Sequence, residues 1–370
     1  MWSPPTVVDN ATLSESKENN GLCLVLDDKG LTSKDPHNSG EMKQIVYWTM
    51  VIVNVAQILV VAVLGIPGNV LSAAVFYIQG LRERINLCVF SHAVVNLVVL
   101  LALFLISAEY IHRYTIRPSY VLFPYTSCML GALWASQFLS AVIASERCFC
   151  VVSPFHAKRL LKTSTMAAII VVCSVLLTGG MCAIAGPKHK GVCVFNPITN
   201  ETEETETVTE YYLQNQAIID IFDVGVYSTT LPGIFLVVII VTTVITSIKL
   251  RDALAWRLSI ASKCKTTRAR TWTRGERERR MTSKEVSVTM MLMVTSVLFI
   301  VCMTANLVLQ ICILVVPGFN FTGSYVSLVS ALWAIINFLW ALNFSLNFVV
   351  YHKMGSKFRH SVRNLIGWKE

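Results

Sequence analysis

Seven apolar runs, each long enough to cross a membrane, constrain this chain more than any other feature. They fall at roughly 45–79, 86–111, 120–151, 165–185, 217–249, 286–316 and 325–350. A helix that crosses the hydrocarbon core needs about 20 largely apolar residues. Within that core no water satisfies backbone N–H and C=O groups, so each run must bond to itself as a helix. Composition agrees. Of the 370 residues, 54% are hydrophobic and only 14% charged, and the mean hydropathy of +0.59 is too high for a soluble domain of this size. The expected fold class is an all-α integral membrane protein: a seven-transmembrane helix bundle over 45–351, followed by a short interfacial eighth helix. Residues 1–44 are polar, carry Asp27, Asp28, Asp35 and Glu41, and have no apolar core of their own, which predicts a disordered tail. No short apolar region with a small-residue cleavage site precedes the first run, so a removed signal peptide is not expected.

The loops orient the bundle. Arg82 and Arg84 lie between runs one and two, and Lys158, Arg159 and Lys162 between three and four. A dense basic stretch from Arg251 to Arg280 lies between five and six, and Lys353, Lys357, Arg359 and Arg363 follow run seven. These four segments share one side, and positive charge marks the cytoplasmic side. The opposite loops are acidic, with Glu201, Glu203, Glu204, Glu206 and Glu210. The acceptor patterns for N-glycosylation at Asn10, Asn200 and Asn320 all fall on that outer side. The expectation is a multi-pass protein of the plasma membrane with an extracellular N-terminus and a cytoplasmic C-terminus. Over 352–370, Phe358, Val362, Leu365 and Ile366 alternate with Lys357, Arg359 and Arg363, the spacing of a helix lying on the inner leaflet. The basic stretch between runs five and six is a membrane-boundary feature, attracted to anionic headgroups. The partner it implies is the lipid bilayer, and no nucleic acid is expected.

Polar residues inside the runs carry the functional information. Run three closes on Ser145-Glu146-Arg147-Cys148, with Pro154 seven positions after the arginine. Run one holds Gly68-Asn69-Val70, run two Asn96, run three Ser136 and run five Pro232. Run six reads Phe299-Ile-Val-Cys302-Met303-Thr304-Ala305, and run seven Asn343 and then Asn347-Phe-Val-Val-Tyr351. In order, sidedness and spacing, this set resembles the rhodopsin-like G-protein-coupled receptors. The Glu-Arg-Cys form with Cys148 and Cys150, and the replaced Trp, Pro and Tyr positions at Met303, Ala305 and Ile240, are similar to invertebrate receptors of the FMRFamide-peptide and chemosensory type.

The resemblance implies a receptor that acts on a heterotrimeric G protein by outward movement of helix six. It implies that Arg147 is the switch, with Glu146 and Glu285 as its resting partners, and that Asn347 and Tyr351 belong to the same coupling machinery. Pro232, Phe299 and Met303 take the transmission positions. Asn69, Asn96, Ser136 and Asn343 take those of a polar core in which the family holds sodium. Asn96 stands where the family has an Asp, so the charge a hard cation prefers is lost; neither a metal nor a cofactor is expected. Ala305 stands where the family has proline, which implies a milder bend in helix six.

The ligand class follows by exclusion within the family. A retinal protein needs a lysine where this chain has Ala341, and an amine receptor needs an Asp where it has Met129. A peptide or another small chemical cue remains. Glu109, Asp220 and Asp223, among Tyr110, Tyr114, Tyr120, Tyr125, Tyr211 and Tyr212, imply an acidic, aromatic vestibule suited to a basic neuropeptide. Ligand candidates are therefore Glu109, Asp220, Asp223 and Met129. A transporter would show internal repeats and Gly/Pro-broken helix pairs, and a channel a filter loop or rings of charge; neither pattern is present in the sequence. The seven histidines are scattered, and no enzyme is expected.

The family also ties the outer end of helix three to the second outer loop through a disulfide. Cys193 suits the loop half. Cys128 lies six residues deeper than the family's position near Leu122, about 9 Å along a helix, whereas a disulfide spans Cα separations up to roughly 7 Å. Cys128–Cys193 and Cys23–Cys193 both remain open.

Overall fold

The structure is a computed structural model that describes residues 13–15, 24–26, 40–115, 123–153, 162–196, 201–264, 283–319 and 324–367. Seven of its helices are long and apolar enough to cross a membrane. The chain is a multi-pass membrane protein by that measure. The first, α1, runs Gly40–Val60, continues through a π-helical turn at Val61–Gly65 and ends as Ile66–Gln79. It is followed by α2 (Arg84–Thr115), α3 (Phe123–Val152) and α4 (Thr163–Ala185). Helix α5 comprises Glu210–Asp220, a π-helical stretch Ile221–Thr230 and Leu231–Cys264. Helices α6 (Ser283–Val315) and α7 (Val326–Met354) complete the bundle, and α8 (Ser356–Ile366) follows.

The helices are inverted relative to a soluble protein. Their outward faces carry large apolar side chains, with Ile52, Val63, Leu176, Val301 and Val315 all more than 60% exposed. Polar residues such as Asn54, Gln57, Asn69, Asn96, Ser136, Gln137, Asn306, Asn337 and Asn343 turn inward. Such partitioning minimises free energy when the surroundings are hydrocarbon and a polar group finds its partners only in the interior. Helix α3 is the central element and packs against α2, α4, α5 and α6. Helix α7 lies against α1 and α6. Trp134 of α3 meets Trp340 of α7 edge to face at 6.4 Å, and Trp333 does so at 5.8 Å.

Small residues set the closest approaches. A Cβ on Gly65 would lie 2.6 Å from Ser345 Oγ, and one on Gly68 would lie 2.7 Å from Phe348 Cβ. These two glycines let α1 press onto α7, the usual role of small residues between helices in lipid. Each of these π stretches ends two residues before a proline, Pro67 and Pro232. Proline lacks the N–H donor, and its ring clashes with the carbonyl four residues back. The wider π turn moves the bonding out of that register, as shown by Ile66 N donating to Val61 O and Leu231 N to Val226 O. Helix α6, which lacks a proline, is unbroken from Ser283 to Val315.

Among the described residues, four strands form one sheet in the order β1 (Leu13–Glu15), β2 (Leu24–Leu26), β3 (His189–Asn196), β4 (Glu201–Val208). Strands β3 and β4 form an antiparallel hairpin between α4 and α5. Strand β2 adds to its edge in parallel, with Leu24 opposite Val194. The expected disordered tail thus contains two short strands. They exist because the hairpin offers an unpaired edge, which sequence composition does not register.

Helix α8 buries Phe358 and Val362 and leaves Lys357 and Leu365 outside. Phe358 packs on Tyr351, Phe76 and Phe348, with centroids at 5.8, 5.6 and 5.9 Å. It ends at Gly367, whose φ of 72° is the left-handed conformation glycine adopts freely.

Candidate functional site

Two charged clusters lie at opposite ends of the bundle, with a polar core between them. The first is at the C-terminal foot of α3. Arg147 Nε donates to Glu146 Oε2 at 2.6 Å, and its Nη2 lies 2.5 Å from the same oxygen. Glu146 Oε1 accepts from the Cys150 thiol at 3.2 Å and lies 3.7 Å from Nη2 of Arg84 on α2. The carboxylate side chain is 2% exposed, against 14% for each arginine. A buried carboxylate is tolerable only when paired and hydrogen-bonded, and here two guanidiniums and a thiol share that role. Sequence reasoning misses Arg84 as a partner, because nothing local links it to a residue 62 positions later. Glu285 falls in the first turn of α6; its side chain lies outside the described residues, so the Arg147–Glu285 contact does too.

Next to this cluster is a cavity lined by His92, Ser140, Ile143, Ile239, Thr295, Ser296, Phe299, Asn343, Asn347 and Tyr351, with a volume of about 20 Å³. It is large enough for one water-sized group. His92 is within 3.1 Å of Ser140 Oγ, so the buried imidazole has a partner on α3. Asn347 and Tyr351 are both buried, and Tyr351 packs edge to face on Phe76 at 5.7 Å. Five helices contribute to this one space, α2, α3, α5, α6 and α7. The polar core continues above it. Asn69 Nδ2 donates to Gly65 O at 2.8 Å and to Phe344 O at 3.0 Å, bridging α1 and α7. Ser136 Oγ donates to Asn96 Oδ1, which joins α3 to α2, while Asn96 Nδ2 has no protein partner. Asn343 is 2% exposed and reaches the cavity wall. Phe299 and Met303 are buried in the main apolar cluster with Met129, Trp134 and Trp340. Pro232 lies two residues after the end of the π stretch of α5.

The second charged cluster is at the other end. Lys188, in the 3-10 turn Gly186–Lys188 that follows α4, places its Nζ 3.1 Å from Asp220 Oδ1 and 2.6 Å from Asp223 Oδ2. Tyr212 donates its hydroxyl to Asp220 at 3.0 Å, and Lys188 Nζ lies 5.0 Å from the centre of its ring. The lysine side chain is only 8% exposed. Thr209 holds the arrangement: its N–H donates to Lys188 O at 2.9 Å, and its hydroxyl donates to Pro187 O at 2.6 Å and accepts from Tyr212 N–H. The two carboxylates therefore already face a cation of the chain itself. Glu109 is half-buried near the end of α2, and Met129 is buried on α3.

Deep between these clusters sit polar atoms with no protein partner. Both side-chain atoms of Asn306 on α6, Asn337 Oδ1 and Trp340 Nε1 on α7, and Trp134 Nε1 and Gln137 Nε2 on α3 belong to this group. Asn306 and Trp340 are 0% exposed. They escape sequence reading because isolated Asn and Gln occur in any membrane helix, and only the three-dimensional packing shows which face inward. Among the described residues there is no group of three or more His, Cys, Asp or Glu that could hold a metal. Asn10, Asn200, Asn320 and Cys23 lie outside the described residues. Cys193 is in β3, and its side chain is likewise outside them.

Compared with known proteins, the chain matches no protein-family model and no curated protein.

Proposed function

We propose that this protein is a receptor that binds a ligand at the Lys188 end of its bundle and passes the signal to a heterotrimeric G protein at the Arg147 end. In this reading the Arg147 end faces the cytoplasm, as the basic loops at 82–84, 158–162 and 251–280 favour. The observation that carries it is the Glu146–Arg147–Arg84 cluster beside the cavity lined by Asn343, Asn347 and Tyr351. In this reading the neutralised, buried charge at the helix foot is the closed state of a two-state element, released when another contact takes its place. A ligand shifts such an equilibrium by binding one state more tightly, and a difference of about 1–2 kcal/mol changes the ratio roughly five- to thirtyfold. Outward movement of α6 would open the wall formed by Thr295, Ser296 and Phe299 and expose Arg147 to a partner.

The ligand favoured by the Lys188 cluster is a basic peptide, whose Arg or Lys would exchange with Lys188 on Asp220 and Asp223. A specific observation favours a second ligand class, a small non-peptide cue. The buried, unpartnered groups of Asn306 on α6 and Asn337 on α7 would bind a compact molecule with few polar atoms.

The test is complex formation between the purified chain and G proteins, followed by addition of a guanine nucleotide. Binding that is lost on nucleotide addition is expected, and failure with every Gα class would sink the proposal. Screening basic peptides and small volatiles against cells expressing Asp223→Asn and Asn306→Ala variants then separates the ligand classes.

A further inference from the structure

We infer that Cys128 and Cys182 are joined in the mature protein by a disulfide that staples α3 to α4 at the Lys188 end. Backbone packing brings the two positions together. A Cβ on Gly131 would lie 2.7 Å from Thr178 Cα and 2.8 Å from Thr178 O, so α3 and α4 touch there main chain to main chain. The two helices run in opposite directions. One turn towards the Lys188 end leads back from Gly131 to Cys128 on α3 and forward from Thr178 to Cys182 on α4. A disulfide needs Cα atoms about 4.4–6.8 Å apart, and helices in contact through glycine are among the few pairs that approach so closely.

Both thiols lie off the buried core and near the helix ends. Cys128 is exposed and Cys182 half-exposed, whereas Cys88 and Cys302 are buried. Cys128 is the sixth residue of α3 and Cys182 the fourth from the end of α4, so both are within two turns of the helix ends.

The bond would form by exchange with a low-molecular-weight disulfide in the compartment that oxidises secreted proteins. One thiol loses its proton, and its thiolate attacks the small disulfide, forming a mixed disulfide and releasing one small thiolate. The second thiolate displaces the other half. The chain gains one S–S bond and loses two electrons and two protons, and the small disulfide leaves as two thiols. The consequence is mechanical: α3, which carries Glu146 and Arg147 at its far end, would be fixed to α4 as one body, leaving α6 to move.

This inference rests on the orientation in the proposed function, and its test separates the two. Intact cells expressing the full chain are treated with a membrane-impermeant thiol reagent, with and without prior reduction. The protein is then digested with trypsin in a Cys173→Ser background, because Cys173 shares the 163–188 peptide with Cys182. A linked pair of peptides 114–147 and 163–188 is expected, together with labelling that rises about tenfold or more after reduction, as for a structural disulfide that resists the thiol pool. The pair should vanish in Cys182→Ser, with Cys128 then labelled without reductant. Labelling of both thiols in unreduced intact cells would overturn the disulfide but keep the orientation. Linkage of Cys128 to Cys193 or Cys23 would overturn it as well. Labelling confined to permeabilised cells would overturn the disulfide and the orientation together.

Discussion

Glu146 is one carboxylate shared by two guanidiniums, and its neighbours decide what its loss would do. With Glu146→Gln the size is kept and the charge removed, leaving Arg84 and Arg147 facing each other without compensation. Breaking a buried ion pair costs about 3–5 kcal/mol, and the partial exposure of both arginines reduces that. An arginine turned outward regains water, which is the geometry the proposed active state requires. Ligand-free nucleotide exchange by the G protein should therefore rise by roughly five- to thirtyfold, the equivalent of 1–2 kcal/mol. Wild-type exchange rates in Glu146→Gln would contradict the switch. Lys188 is the reverse case, one cation between two carboxylates. Lys188→Met should lower thermal stability in detergent by about 1–3 kcal/mol, less than a fully buried pair because Asp220 is 38% exposed and keeps water. Adding Asp223→Asn should recover part of the loss. If the double variant is as unstable as the sum of the singles, the pair is not coupled.

At the scale of elements, α1 and α7 are held by shape as much as by polar contacts. Gly68→Val places a branched side chain where even a Cβ would fall 2.7 Å from Phe348 Cβ, and overpacking of this kind costs about 1–3 kcal/mol. Gly179→Ala on α4 is the control, because nothing lies within 4 Å of its Cβ; helix propensity alone should stabilise it by up to about 1 kcal/mol. Opposite shifts in unfolding temperature are the expected outcome, and equal shifts would mean that the α1–α7 contact does not limit stability. The helices themselves were legible in the sequence because hydropathy over about 20 residues reports the solvent directly. The interruptions were not. Pro67 and Pro232 are visible as letters, yet whether a proline kinks, breaks or widens a helix depends on where the displaced carbonyls find donors. Likewise β2 owes its existence to the edge of β3, about 170 residues away, and no local pattern announces it.

For the molecule as a whole, residues within one turn of each other were readable, whereas partners on different helices were readable only where the resemblance grouped them, as with Ser136 and Asn96. Glu146 beside Arg147 was visible in the sequence; Arg84 with Glu146 and Lys188 with Asp223 became visible only once the bundle was assembled. The same distinction governs how Arg147 is held. It is neutralised chiefly within its own helix by Glu146, and Glu285, on the first turn of α6, is the acidic residue by which the resemblance links α6 to this end. A pair within α3 moves as a unit and does not itself hold α6. A pair between α3 and α6 would. Glu285→Ala should thus raise basal signalling by removing a restraint on α6, while Glu146→Gln raises it by unmasking Arg147. Because the two act on different steps of one opening, their effects should be less than additive, as expected for groups in one network. The measurement is ligand-free nucleotide exchange by the single and double variants at matched surface expression. Unchanged activity in Glu285→Ala would leave the closed state to Glu146 and Arg84 alone. A double variant equal to the product of the singles would show that the two carboxylates act independently.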